Sequence, residues 1–301
     1  MKLLVTGSLG ATEKDLEALA ALGHEIVLHP DERVPVEDPE RFDGAVCNSL
    51  FHYTTHEGFT NLRYLQITSA GYDRVPMDWV RARGITVHNA NGVYSPAMAE
   101  WTIMRILELL KHVPQGFRNQ LAARHKKDWK WQELTGKNVL LAGFGAYGRE
   151  IAKRLKPFGA RLTVVNRSLK EDANVDEFCT LDKFPELLPQ ADILILALAH
   201  SPQTHHILDD AALQSMKPGS YLINAARGGL IDEPALLRAL QEGPLAGAAL
   251  DVYETEPLAP ESPLWTLENV LLSPHNSFVG DHDHERMMQV VIGNLKAFQG
   301  Q

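Results

Sequence analysis

A chain of 301 residues, 45% of them hydrophobic, is long enough to fill two cores. Its 29 Lys and Arg against 38 Asp and Glu leave a formal charge of −9, and the one short basic run, His125-Lys126-Lys127, reads as a solvated loop, so no nucleic-acid-binding face is expected. Cys47 and Cys179 are too few for a disulfide framework or a Cys-rich metal site, and no apolar stretch approaches the ~20 residues of a membrane helix or forms a leader, which points to the cytoplasm.

From the start, short apolar runs at 3–5, 25–28, 45–47, 64–67 and 86–87 alternate with helical patterns at 14–22 and 77–82. That alternation predicts a small parallel α/β domain over residues 1–92. Gly7-Ser8-Leu9-Gly10 has the look of a phosphate loop, but no Lys-Ser or Lys-Thr follows, and an ordinary strand-to-helix turn is expected. Residues 95–112 carry Met98, Trp101, Ile103, Ile106, Leu109 and Leu110 at helical spacing, with Ser95-Pro96 as a start signal. A polar arm over 115–133 follows, in which Trp129 and Trp131 mark either a partner surface or simple packing.

The stretch 137–148 organises the second half. Val139 to Ala142 read as a buried strand that runs into Gly143, Gly145 and Gly148 in a G-x-G-x-x-G frame; Ile151, Ala152, Leu155 and Phe158 then fall on one face of a helix. The first glycine permits a tight turn, the second a close backbone approach to a pyrophosphate, and the third close packing of helix on strand, with the helix N-terminus facing the anion. Strand-like runs continue at 161–165, 193–198, 221–225, 246–250 and 270–272, so residues 93–280 are expected to form a dinucleotide-binding domain. A last helix over 281–299 is expected to return to the first domain and make it discontinuous.

Ligands of open parallel sheets lie at the carboxyl ends of the strands. There the sequence places Asn166, Arg167 and Ser168, then His200, Arg227, Asp251 and His275. Asn224-Ala-Ala-Arg-Gly-Gly-Leu-Ile-Asp232, Ala249-Leu-Asp-Val-Tyr-Glu-Thr-Glu-Pro257 and Leu272-Ser-Pro-His275 resemble the three signature stretches of the D-isomer-specific 2-hydroxyacid dehydrogenases. Asn89-Ala-Asn-Gly, leading to Ala99-Glu100, and Thr68-Ser-Ala-Gly-Tyr-Asp73 are also similar to that family, in the same order along the chain. The resemblance implies two doubly wound parallel-sheet α/β domains, a Rossmann dinucleotide-binding domain inserted in a discontinuous flavodoxin-like substrate domain, and a homodimer.

It also implies a catalytic set of Arg227, Glu256 and His275. The planar fork of Arg227 suits a substrate carboxylate. His275 would give a proton to the carbonyl oxygen as hydride arrives, and Glu256 would orient the ring and stabilise the imidazolium. Asp251 would lie near the nicotinamide carboxamide. Ala70 and Gly71 would offer amide N–H groups to the substrate, and Phe51 or a neighbour in 50–53 would shape the side-chain pocket. The cofactor residues implied are Gly143, Gly145, Ala146, Tyr147, Gly148, Asn166, Arg167, Ser168, Ala199, Thr204, Ala225, Ala226, Asp251 and Ser277.

An NAD site expects a carboxylate about 20 positions beyond the glycines. Here that place holds Asn166, followed by Arg167 and Ser168, which favours NADP over NAD; the competing reading is a neutral Asn that tolerates both, with Arg167 stacked on adenine. Glyoxylate or hydroxypyruvate is the expected 2-ketoacid. An NAD-linked member acting on phosphoglycerate, a phosphite dehydrogenase and a nucleotide-sensing corepressor share the same fold; a formate dehydrogenase would carry Gln in place of Glu256. Phe278 would narrow the pocket or pack on the cofactor. His52 with His56, and the run Asp281-His-Asp-His-Glu285, are not expected to bind metal.

Overall fold

The computed structural model describes residues 1–299. The chain divides into two compact units, one of Met1–Tyr94 with the chain from Gly280 on, the other Ser95–Val279. The divisions fall after 94 and 279, against 92 and 280 from the sequence.

The first unit is built on strands β1 (Lys2–Thr6), β2 (Glu25–His29), β3 (Gly44–Cys47), β4 (Tyr64–Ile67) and β5 (Thr86–His88). They pair in parallel in the order β2-β1-β3-β4-β5. Helix α1 (Glu13–Ala20) opens with a capping box in which Thr12 and Asp15 satisfy each other's backbone N–H groups, and α2 (Met77–Ala82) follows β4. One face of the sheet packs Leu4, Phe42, Phe59, Leu65 and Val80. The other packs Leu3, Val5, Leu19 and Tyr64 against Met287, Met288, Val291 and Leu295. Val291 follows Met287 and Met288 by four and three residues and Leu295 follows Val291 by four along α9 (Asp283–Gln299), so the final helix buries one stripe here. Each fully buried leucine contributes ~1.5–3 kcal/mol relative to exposure.

The second unit holds a seven-stranded parallel sheet in the order β12-β11-β10-β9-β6-β7-β8. Its strands are β6 (Asn138–Ala142), β7 (Arg161–Asn166), β8 (Glu177–Thr180), β9 (Ile193–Leu196), β10 (Ser220–Asn224), β11 (Leu245–Leu250) and β12 (Val270–Leu272). The central strands β9 and β10 are buried at every position, as a parallel sheet covered on both faces requires. Helices α3 (Ser95–Leu110) and α5 (Ala146–Leu155) cover one face. The short α6 (Phe184–Leu187) and α7 (Asp210–Gln214), with α8 (Glu233–Gln241), cover the other.

Two local features differ from the sequence reading. The arm read only as polar begins with a helix, α4 (Val113–Leu121); His112, at φ 49°, separates it from α3, and Pro114 sits in its first turn. Strand β8 was not anticipated: it is a four-residue edge strand with only partial burial, so it shows neither a buried run nor a clear alternation. Among the described residues no helix is long and apolar enough to cross a membrane.

Candidate active site

The glycine loop follows β6. Gly143 has φ 104°, and a Cβ there would lie 2.4 Å from the carbonyl oxygen of Ala197, so both backbone angle and space require glycine. No atom lies within 4 Å of a Cβ built on Gly145, which leaves room for a ligand against the backbone. Gly145 caps α5 without a side-chain hydrogen bond, so the first-turn N–H groups of Ala146, Tyr147 and Gly148 remain available to an anion. Tyr147 is turned inward instead: its hydroxyl lies 2.6 Å from Thr102 Oγ1, and burial pushes it well above the usual phenol range.

At the end of β7, Asn166 donates from its amide to the carbonyl of Ser168 at 3.0 Å. Arg167 and Ser168 are exposed, and Arg167 forms no hydrogen bond or ion pair among the described residues. Lys170, which the sequence did not single out, reaches the glycine loop: its Nζ lies 3.3 Å from the carbonyl of Phe144. Arg149 approaches the same carbonyl at 3.4 Å. Arg167 at the end of β7, with Lys170 and Arg149 at the glycine loop, fits a dinucleotide bearing an extra phosphate.

Four loops of the second unit are knitted together. Buried Asn224 holds the first: its amide donates to the carbonyl of Arg227 at 2.9 Å and its oxygen accepts from Ala226 N at 3.0 Å. This fixes Ala225, Ala226 and Arg227 at the end of β10. A Cβ on Gly228 would fall 1.9 Å from the backbone of Tyr253, so the loop with Arg227 lies flat on the one that leads to Glu256. A third loop, after β9, joins them: His206 donates its N–H to Gly229 O at 2.9 Å, and its Nε2 lies 2.8 Å from Glu254 Oε1. Within that loop the Thr204 hydroxyl is buried and bonded to Ala199 O at 2.8 Å, so its side chain is spent holding the turn.

The fourth loop carries His275. Its Nδ1 lies 2.7 Å from Glu256 Oε2, and Glu256 Oε1 accepts from Tyr253 N at 3.1 Å. His275 itself adopts φ 52°, a region unfavourable for a residue with a Cβ, and two anchors hold it there. The Tyr253 hydroxyl donates to Ser273 O at 2.9 Å, and burial pushes that phenol up to about 12. Asp251, 0% exposed, accepts from Ser273 Oγ at 2.6 Å, Asn276 N at 3.0 Å and Ser277 N at 2.9 Å. The sequence placed Asp251 beside the cofactor; in the structure its carboxylate also holds the loop that bears His275. Phe278 stands edge-on to the His275 ring, centroids 6.2 Å apart.

In the first unit, the carbonyl of Ala70 accepts from the Asn89 amide at 2.5 Å and that of Gly71 from Ser69 Oγ at 2.9 Å. Their N–H groups donate to nothing among the described residues, as a pair reserved for an outside acceptor would. Phe51, expected with its neighbours in 50–53 to shape the side-chain pocket, lies in that turn with its ring on the core. Its ring is half-buried against Phe59 and Trp79, because the apolar side chain finds the core of its own unit, and His52 and Tyr53 are the exposed groups of that turn. Among the described residues no group of three or more His, Cys, Asp or Glu is arranged to hold a metal.

Comparison with known proteins agrees with this geometry. Residues 103–277 match the sequence profile described as D-isomer specific 2-hydroxyacid dehydrogenase, NAD binding domain. Glyoxylate reductase of Thermococcus gammatolerans is 33% identical over 290 residues, covering 91% of this chain and 86% of the relative. That of Pyrococcus furiosus is 34% identical over 266 residues, covering 85% and 79%. Among solved structures, the NADPH-dependent glyoxylate/hydroxypyruvate reductase of Sinorhizobium meliloti in complex with NADP and malonate superposes with a TM-score of 0.81 at 29% identity, over 99% of this chain and 93% of that one.

Proposed function

The chain belongs to the D-isomer-specific 2-hydroxyacid dehydrogenase family, and from that premise we propose that it reduces a small 2-ketoacid, glyoxylate or hydroxypyruvate, with NADPH preferred over NADH. The observation that carries the reading is the pairing of His275 Nδ1 with Glu256 Oε2 at 2.7 Å on a loop pinned by Asp251.

Arg227 takes the substrate carboxylate through its guanidinium. Within the first unit, the N–H groups of Ala70 and Gly71, which donate to nothing among the described residues, are suited to an anionic group. With Nδ1 held by Glu256, the proton leaves from Nε2 of His275 to the carbonyl oxygen that becomes the 2-hydroxyl. Glu256 offsets the positive charge of the ring before that transfer. The bound nicotinamide supplies or accepts the hydride. Arg167, Lys170 and Ser168 would hold the extra phosphate of NADPH, and the N–H groups at the start of α5 would receive the pyrophosphate.

Similarity to glyoxylate reductases supports a small-molecule ketoacid substrate, and a cytoplasmic setting is part of the proposal. A homodimer is also proposed. It is supported by Leu121 and Trp129, 89% and 85% exposed, which lie with Trp131 on a segment that its own unit does not bury. Sedimentation of the wild-type chain tests it.

The test of the function is a panel of glyoxylate, hydroxypyruvate, pyruvate and phenylpyruvate, each with NADPH and NADH, followed by cofactor absorbance. Fastest turnover with NADPH and one of the two small substrates is expected. No oxidation of either cofactor with any ketoacid would overturn the reading in favour of a binding role.

A further inference from the structure

In the first unit β2 lies on one side of β1 and β3 on the other, so the strand order reverses between β1 and β3. The crevice at the carboxyl ends of two such strands is where open parallel sheets take their ligands. Here a side chain of the chain itself fills it. Glu32, from the loop after β2, accepts from Thr6 Oγ1 at 2.5 Å and Asn48 N at 2.7 Å through Oε1, and from Ser49 N at 2.5 Å through Oε2. Thr6 ends β1 and is fully buried, while Asn48 and Ser49 directly follow β3.

Several further features belong to this crevice. Ser8 Oγ lies 2.8 Å from Thr6 Oγ1, and Thr68 Oγ1 lies 3.4 Å from Ser8 Oγ. Among the described residues the Oδ1 of Asn48, whose own backbone N–H bonds the carboxylate, is buried without a hydrogen-bond partner. A Cβ on Gly7 would lie 1.9 Å from the carbonyl oxygen of Pro30, so the loop bearing Glu32 is seated on the turn after β1. Two adjacent backbone N–H groups and a hydroxyl converging on one carboxylate make the kind of concavity that binds anions.

We propose that the ends of β1 and β3 form an anion nest whose resident ligand is the Glu32 carboxylate, and that this internal ligand acts as a positioning residue that sets substrate side-chain specificity. Glu32 reaches the specificity turn through two links. It fixes Asn48 and Ser49, which lead directly into the turn of Leu50, Phe51, His52 and Tyr53. Ser49 Oγ in turn accepts from Arg74 Nη1 at 3.2 Å, which ties the same point to the loop that carries Ala70 and Gly71. One carboxylate therefore holds both the turn with the exposed His52 and Tyr53 and the segment with the free amides. The specificity part rests on the proposed function; the nest does not.

The test uses Glu32→Ala and Glu32→Gln in the full chain. With the carboxylate removed, the nest of Glu32→Ala is open to a small carboxylate from solution. Sodium acetate is expected to raise its melting temperature above that in sodium chloride of equal ionic strength, with no such difference in wild type. Equal acetate effects on both proteins would overturn the nest. In turnover, both variants are expected to shift the ratio of kcat/KM for glyoxylate over phenylpyruvate by about tenfold or more, with the KM for NADPH unchanged. Acetate should restore the ratio in Glu32→Ala and not in Glu32→Gln, whose amide still fills the space. An unchanged ratio alongside acetate binding would overturn the positioning claim. If wild type turns over no ketoacid, both the proposed function and the positioning claim fall, and the melting comparison still decides the nest. Should Glu32→Ala not fold without acetate, its recovery on refolding in acetate and not in chloride is the expected result, and failure in both overturns the nest.

Discussion

The Nδ1 of His275 and the Oε2 of Glu256 stand 2.7 Å apart, although 18 residues separate them in the chain. The bond selects which ring nitrogen is left to exchange a proton. Glu256→Gln keeps the size and loses the charge, so kcat for ketoacid reduction is expected to fall by roughly 10²-fold or more while the KM for NADPH stays within about twofold. His275→Gln should lose as much or more, and steady-state kinetics of both variants check it. Near-wild-type kcat in either would remove that residue from the proton path.

Asp251 is expected to act on the same step from below. Three donors from the segment 273–277 end on its buried carboxylate. In Asp251→Asn one oxygen is replaced by an amide that faces an N–H donor, leaving a buried polar group unpaired. The expected loss is about 2–4 kcal/mol of stability in urea unfolding, with a fall in kcat because His275 is no longer held. Unchanged stability with reduced cofactor affinity would instead return Asp251 to the cofactor.

Arg167→Ala with Lys170→Ala tests the extra-phosphate site. Lost charge-assisted hydrogen bonds are worth about 1.5–3 kcal/mol each, so the KM for NADPH should rise at least tenfold, to roughly the value for NADH. The KM for NADH should barely move. Equal changes for both cofactors would mean that these cations serve the dinucleotide generally.

Gly228→Ala should be among the more damaging small substitutions. The added methyl would lie 1.9 Å from the Tyr253 backbone, and neither main-chain segment is free to yield, because Asn224 holds one and Tyr253 the other. A cost of about 3 kcal/mol or more in unfolding free energy is expected, with Arg227 displaced and the KM for ketoacid raised. A fully stable, fully active variant would show that the two loops separate readily.

Much of this architecture was legible because it repeats a local rule. Val139–Ala142 followed by Gly143 announced strand, turn and helix together, and the polar residue after each apolar run gave Arg227, Asp251 and His275 in sequence. What escaped depends on distant partners. The donors to Asp251 come from 22 to 26 residues further on, so its position was readable and its hold on the His275 loop was not. Lys170 carries no sequence signal, because its Nζ meets the carbonyl of Phe144, 26 residues earlier in the chain. The packing of the Phe51 ring on Phe59 and Trp79 likewise depends on partners 8 and 28 residues away. β8 was invisible because an exposed edge strand has no burial pattern to display.

The most direct measurement is the stoichiometry and chirality of hydroxypyruvate reduction by the wild-type protein with NADPH. The account predicts one NADPH oxidised for each molecule of D-glycerate formed, with NADH giving the same product more slowly. Formation of L-glycerate, or no consumption of NADPH, would contradict it.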